Sequence, residues 1–153
     1  MNRLDIQNVS KSSHVPGQEL FQKWIDTVLQ SSIEDSEIVI RIVDESEMIQ
    51  FNEQYRNKEG VTNILSFPFD IPEGVDSDLL GDLLVCAPVV ECEAQQQNKQ
   101  LEHHWAHIII HGILHLLGYD HINDEDAEEM EALEIQLLKK IKINNPYEAR
   151  SNT

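Results

Sequence analysis

Residues 103–121 read HHWAHIIIHGILHLLGYDH. Apolar side chains fall on every side of a helix drawn through 103–117, which puts that helix inside the protein rather than on its surface. Gly118 ends it, because glycine takes the positive φ that a helix terminus favours. His104, His107, His111 and His115 form one stripe along its length. Residues four apart in a helix stand about 40° apart around the axis and about 6 Å apart along it, so His111 and His115 can grip one ion. A third imidazole further along the same straight helix cannot reach that ion through bonds of about 2.1 Å. The turn at Gly118 lets His121 come back to complete three ligands and leaves one position for water, the arrangement of a catalytic rather than a structural zinc site. The all-imidazole donor set suits Zn2+, one ion per chain, although nickel or copper would also bind. The competing reading is a satisfied polar seam on a core helix. His107 is the rival for a ligand place, and His103 and His104 read as surface histidines or as supports behind a ligand.

Outward from this helix the pattern alternates between strands and helices. Residues 3–8 alternate weakly as an edge strand, and Leu20, Trp24, Val28 and Leu29 recur at helical spacing after Pro16 and Gly17. Residues 37–43, EIVIRIV, are β-branched and extended, and Glu45 to Arg56 is helical. A strand over 62–68 stops at Pro68, residues 70–82 read as an acidic loop, and Asp82 to Cys86 returns as a strand. A helix from Pro88 to Gln97 precedes the histidine helix, and a final amphipathic helix over 125–141 offers Met130, Leu133, Ile135, Leu137 and Leu138 to the core. The expectation is an α+β (α/β layer) fold, roughly four strands in a small sheet covered by four or five helices, with a zincin-like three-histidine metal site. No repeat or linker marks a second domain, so residues 1–153 read as one domain.

With 28 acidic and 11 basic residues the formal charge is −17. Such a field repels polyanions, so a nucleic-acid site on this chain has to be local or served by a partner. No apolar run approaches a membrane span, the N-terminus has no signal-peptide core, and Cys86 and Cys92 are too few for a disulfide framework. A soluble, reduced, cytoplasmic protein is expected.

The spacing matches the zincin protease signature H-E-x-x-H-x-x-G-x-x-H, except that Gly112 stands where that motif carries its general base. A peptidase lacking that base loses most of its rate. Phosphodiester cleavage by water activated at the ion suits the residues better, provided a cation meets the phosphoryl charge. Arg56, at the end of the helix before the 62–68 strand, is the candidate cation, since a guanidinium can hold two phosphate oxygens; a surface arginine is the plainer alternative. Asp120, beside the third ligand, reads as a proton shuttle, an imidazole-orienting carboxylate or a turn residue.

Tyr55-Arg56, TNILSFP (62–68), Leu80-Gly81-Asp82 and HGILHLLGYDH (111–121) together resemble the bacterial YbeY endoribonucleases, in the same order from about residue 37 to residue 135. Many members carry Asp where this chain has Asn63. The resemblance implies a single-strand-specific, metal-dependent endoribonuclease acting in 16S rRNA 3′-end maturation and ribosome quality control. It implies zinc on His111, His115 and His121, with Arg56 handling the substrate phosphate. It also implies single-stranded ribosomal RNA as substrate and small-subunit proteins or an assembly GTPase as partners, with no membrane and no DNA involved. A zincin-type peptidase or amidase, and a non-catalytic ribosome assembly factor with a structural metal, are the alternatives.

Overall fold

The computed structural model describes residues 3–29, 37–56, 62–68, 79–119 and 124–143. In chain order these form β1 (Arg3–Asn8), α1 (Gln18–Leu29), β2 (Glu37–Val43), α2 (Glu45–Arg56), β3 (Ile64–Pro68), β4 (Leu79–Cys86), α3 (Ala87–Gln96), α4 (Leu101–Leu116) and α5 (Asp124–Lys140). The sheet order is β1-β2-β4-β3, with β1, β2 and β4 parallel and β3 antiparallel to β4. The α+β expectation therefore holds as a four-stranded mixed sheet with five helices among the described residues.

Strand periodicity decides which face meets which layer. Ile38, Ile40 and Ile42 of β2 are fully buried on one face, while Arg41 points the other way and pairs with Glu47 of α2 at 2.6 Å. On the first face α1, α4 and α5 build the main core with Leu83, Val85 and Ile64. Phe21 of α1 meets Trp24 edge-on at 5.4 Å and Trp105 of α4 at 5.8 Å, which fixes the two helices together. On the second face Met48 of α2 closes a smaller cluster with Val43, Leu65, Leu84 and Cys86. Each large apolar side chain sealed in this way contributes about 1.5–3 kcal/mol.

Helix α4 is buried almost all round, as its composition requires; Trp105, Ala106, Ile109, Ile110 and Ile113 have no exposed surface. It stops as the sequence predicts. Gly118 sits at φ 105°, its N–H donates to the His115 carbonyl at 3.0 Å, and the Tyr119 N–H donates to the Leu114 carbonyl at 3.1 Å. These paired bonds satisfy carbonyls that the helix end leaves open, and only a left-handed residue at 118 lets them form.

Several boundaries move. Strand β3 begins at Ile64 rather than at residue 62, and β4 begins at Leu79, inside the stretch read as a loop over 70–82. Glu37 pairs with Leu79 and Ile38 with Gly81, so Leu80 is the extra residue of a β-bulge. The bulge changes the parity of the strand and turns Leu80 toward the main core, which hides the alternation a strand would otherwise show. Helix α1 buries Phe21 and Ile25 more completely than Leu20. On α5 the core face is Met130, Glu134, Leu137 and Leu138, not Ile135. Ile135 stands about 140° around the helix from Met130 and leaves that face.

Gly112 marks the closest approach of α4 to the sheet. A Cβ added there meets Ile64 Cδ1 at 2.6 Å and Leu83 Cδ2 at 3.0 Å. Gly112→Ala gains up to about 1 kcal/mol of helix propensity but overpacks the core by about 1–3 kcal/mol, so a net loss of about 1 kcal/mol is expected. Ile64→Val removes the atom in the way. In a double-mutant cycle by urea unfolding, Gly112→Ala should be markedly better tolerated on the Ile64→Val background; strict additivity of the two changes contradicts the close approach.

Candidate metal centre

The histidine stripe runs from the interior toward the surface. Side-chain exposure is 3% at His104, 12% at His107 and 21% at His111. Successive ring centroids lie 6.3, 6.3 and 4.7 Å apart from His104 through His107 and His111 to His115. The stripe is possible because α4 presents these positions to α3 and α5 while Gly112 and its apolar neighbours face the sheet and α1.

At the open end the two predicted ligands meet. His111 Nε2 and His115 Nε2 are 3.1 Å apart. Two bonds of about 2.1 Å that meet near the tetrahedral angle place their nitrogen atoms about 3.4 Å apart, so the two rings stand about 0.3 Å closer than a shared zinc ion would hold them. Among the described residues no group of three His, Cys, Asp or Glu side chains converges. The third expected ligand, His121, lies outside the described residues, as does Asp120. Arg56 closes α2, and its side chain is likewise outside them.

Two carboxylates absent from the sequence reading complete the arrangement. Glu134 of α5 has no exposed surface, and its two oxygens lie 2.8 Å from His107 Nε2 and 2.9 Å from His111 Nδ1. His107, the rival ligand, is thus engaged with Glu134. Burial holds its imidazole below the ordinary 6.5, by more than the neighbouring carboxylate raises it. The second carboxylate, Glu93 of α3, lies 2.9 Å from His104 Nε2 and accepts hydrogen bonds from the Asn63 amide at 3.1 and 3.3 Å. His104 is therefore a buried residue that joins α4 to α3, not a surface one. Asn63 uses its NH2 group for a contact that an aspartate could not make. The signal for Glu134 was present in the spacing, since residues 130, 134, 137 and 138 share one face of a helix; a carboxylate on an apolar stripe needs a buried partner.

Neighbouring contacts hold the α4–β3 edge. Ser66 Oγ donates to the Gly112 carbonyl at 3.3 Å. Gly112 presses on the ends of the Ile64 and Leu83 side chains, which any larger residue at that position would have to displace.

A sequence model of the family described as "Endoribonuclease YbeY" matches residues 5–142. A protein of Colwellia psychrerythraea named "Endoribonuclease YbeY" is 49% identical, over 94% of this chain and 96% of that protein. The solution structure of a Thermotoga maritima protein shares the fold with a TM-score of 0.56 at 24% identity, covering 97% of this chain and 99% of that one.

Glu93 supplies a pH test of the site's inner end. Burial pushes its carboxyl up, but the hydrogen bonds from His104 and Asn63, with His104 and Lys99 as nearby positive charge, outweigh this and leave it below the ordinary 4.5. A carboxylate depressed in the folded state adds stability that is complete above its unfolded pKa and is lost as pH falls through the folded one. At about pH 5.5 the urea midpoint of the unsubstituted protein should exceed that of Glu93→Gln, and the margin should close as pH falls below about 4.5. A margin that persists unchanged to about pH 3 would show that the carboxylate's charge is not what holds α3 to α4.

Proposed function

The chain belongs to the YbeY endoribonuclease family, and on that premise we propose that it is a zinc-dependent endoribonuclease cutting single-stranded RNA. The observation that carries the metal part of this reading is the 3.1 Å approach of two imidazole nitrogens at the open end of a buried helix. His111, His115 and His121 would hold the ion. When bound, zinc supplies Lewis acidity and lowers the pKa of a water toward ~7.

The rest of the reaction falls to the chain's own side chains. Arg56 binds and orients the phosphodiester, taking up charge on the phosphoryl oxygens as the bond breaks. Asp120, next to His121 in sequence, is placed to move a proton or to orient that imidazole. Gly112, standing where the zincin signature has its general base, favours this reading over a zincin peptidase. The acidic chain meets its RNA in the cytoplasm with help. We assign substrate delivery to the small ribosomal subunit, through one of its proteins or an assembly GTPase, and the natural target to the 3′ end of the small-subunit rRNA during its maturation and quality control.

Purified protein should contain about one zinc per chain by elemental analysis and should cleave single-stranded but not duplex RNA. His115→Ala should lose both metal and activity. Arg56→Ala should keep the metal and lose about 10²–10³-fold in rate, the range seen when one donor to a developing charge is removed. Equal cleavage by the unsubstituted protein and both variants would trace the activity to a contaminant and end the proposal. If chelation unfolds the chain without any measurable RNA cleavage beforehand, the ion is structural and the assembly-factor reading replaces this one.

A further inference from the structure

Both carboxylate oxygens of Glu134 lie within hydrogen-bond distance of ring nitrogens, 2.8 Å from His107 Nε2 and 2.9 Å from His111 Nδ1, and the residue has no exposed surface. Two imidazoles facing one carboxyl group are satisfied together when the carboxylate is ionised and each ring brings a proton to its contact. We propose that Glu134 is a positioning residue that locks His111 in its Nδ1–H tautomer, leaving the Nε2 lone pair turned toward His115. The inference rests on the metal centre proposed above and goes beyond it, to the group that makes one of its ligands competent before any ion arrives.

Three observations converge on this lock. First, the opposite tautomer would set a bare Nδ1 lone pair 2.9 Å from Glu134 Oε2, two acceptors facing each other inside the protein. That arrangement forfeits a charge-assisted hydrogen bond and costs the desolvation of both groups. Second, the far side of the ring agrees. His111 Nε2 lies 3.1 Å from His115 Nε2, so one of the two atoms is an acceptor. With the His111 proton held on Nδ1, that acceptor is His111 and the donor is His115. Third, His107 occupies the remaining oxygen. It keeps the carboxylate from rotating and supplies the second hydrogen bond that a buried charge requires. A carboxylate behind a ligating imidazole also raises the basicity of the ring.

Position along α5 explains why a glutamate performs this task. Glu134 stands one turn from Met130 and one turn from Leu138, both fully buried, so its stem is packed by the α4–α5 interface and only its oxygens have a choice of partner. Packing of the two helices is thereby converted into the orientation of one ring.

The deciding measurement needs neither metal nor activity. Long-range proton–nitrogen correlation spectra of metal-free full-length protein at about pH 8, where an ordinary imidazole is neutral, report the tautomer of each ring. The His111 signals are assigned by their loss in His111→Gln. The unsubstituted protein should show His111 protonated on Nδ1 and His115 on Nε2. In Glu134→Gln, which keeps the shape but loses the charge, His111 should become a mixture of tautomers. Zinc affinity in competition with a chromophoric chelator should fall about 10–100-fold. A His111 ring protonated on Nε2 in the unsubstituted protein would overturn the proposal, whether or not the variant folds. So would a Glu134→Gln protein with an unchanged tautomer and unchanged zinc affinity, which would reduce Glu134 to a tie between helices. Should the unsubstituted protein prove unable to take up zinc while His111 still carries its proton on Nδ1, the metal reading fails and the lock stands.

Discussion

A row of imidazoles can pass through the interior of a protein only if something inside accepts their protons. Helix α4 is sealed by α1 and the sheet on its apolar sides, and its polar row is met by two carboxylates, Glu93 from α3 and Glu134 from α5. Each buried polar group left without a partner costs about 1–3 kcal/mol, and a domain of this size is stable by about 5–15 kcal/mol in total. Stripping the carboxylates from His104, His107 and His111 would therefore consume a large share of the margin. The helices that surround α4 are held in register as much by this polar seam as by the apolar contacts on either side of it. Fold and site are one construction here.

The same helix is constrained from its other side. Gly112 lets the α4 backbone settle against Ile64 and Leu83, and the Ser66 hydroxyl reaches the Gly112 carbonyl from β3. A side chain at 112 would crowd the ends of Ile64 and Leu83 at this contact. A glutamate between the two histidines would have to displace the ends of the Ile64 and Leu83 side chains, so the sequence departs from the zincin signature at the residue where α4 presses on the sheet.

The order of strands and helices was legible in the sequence because β2 and α4 carry strong patterns: a run of β-branched residues over 37–43, and apolar residues on all sides of 103–117. The stop at Gly118 was legible for the same kind of reason, a backbone conformation with a residue preference. The start of β4 was not, because the bulge at Leu80 breaks the period on which strand recognition depends. Strand order and the mixed direction of the sheet depend on long-range pairing that local pattern does not encode. In the candidate site, His111 and His115 were readable from spacing alone, since four residues are about one helical turn. Glu93 and Glu134 escaped because their meaning lies in another helix. Glu134 shares a helical face with Met130, Leu137 and Leu138, but on so acidic a helix it passes for a solvated acid until its partners on α4 are known. Ile135 erred the opposite way, an apolar residue one position off the buried face.

The charge of −17 bears differently on approach and on contact. At physiological salt, exposed charges separated by more than about 8 Å are largely screened from one another. Acids remote from the site therefore bear little on a polyanion held there, and only those within that range oppose its final approach. The first turn of α5, Asp124, Glu125 and Asp126, belongs to this acidic surface, yet its acids stabilise the helix N-terminus by countering the macrodipole and cannot be removed without cost to the helix. A protein built this way cannot gain RNA affinity by shedding those acids. In the proposed reading it gains a short-range attraction instead, from an ion on the imidazoles and from one arginine, and leaves long-range capture to a partner. Such a division makes cleavage depend on delivery, so an acidic surface that weakens free encounter also limits cutting to RNA that has been handed to the site.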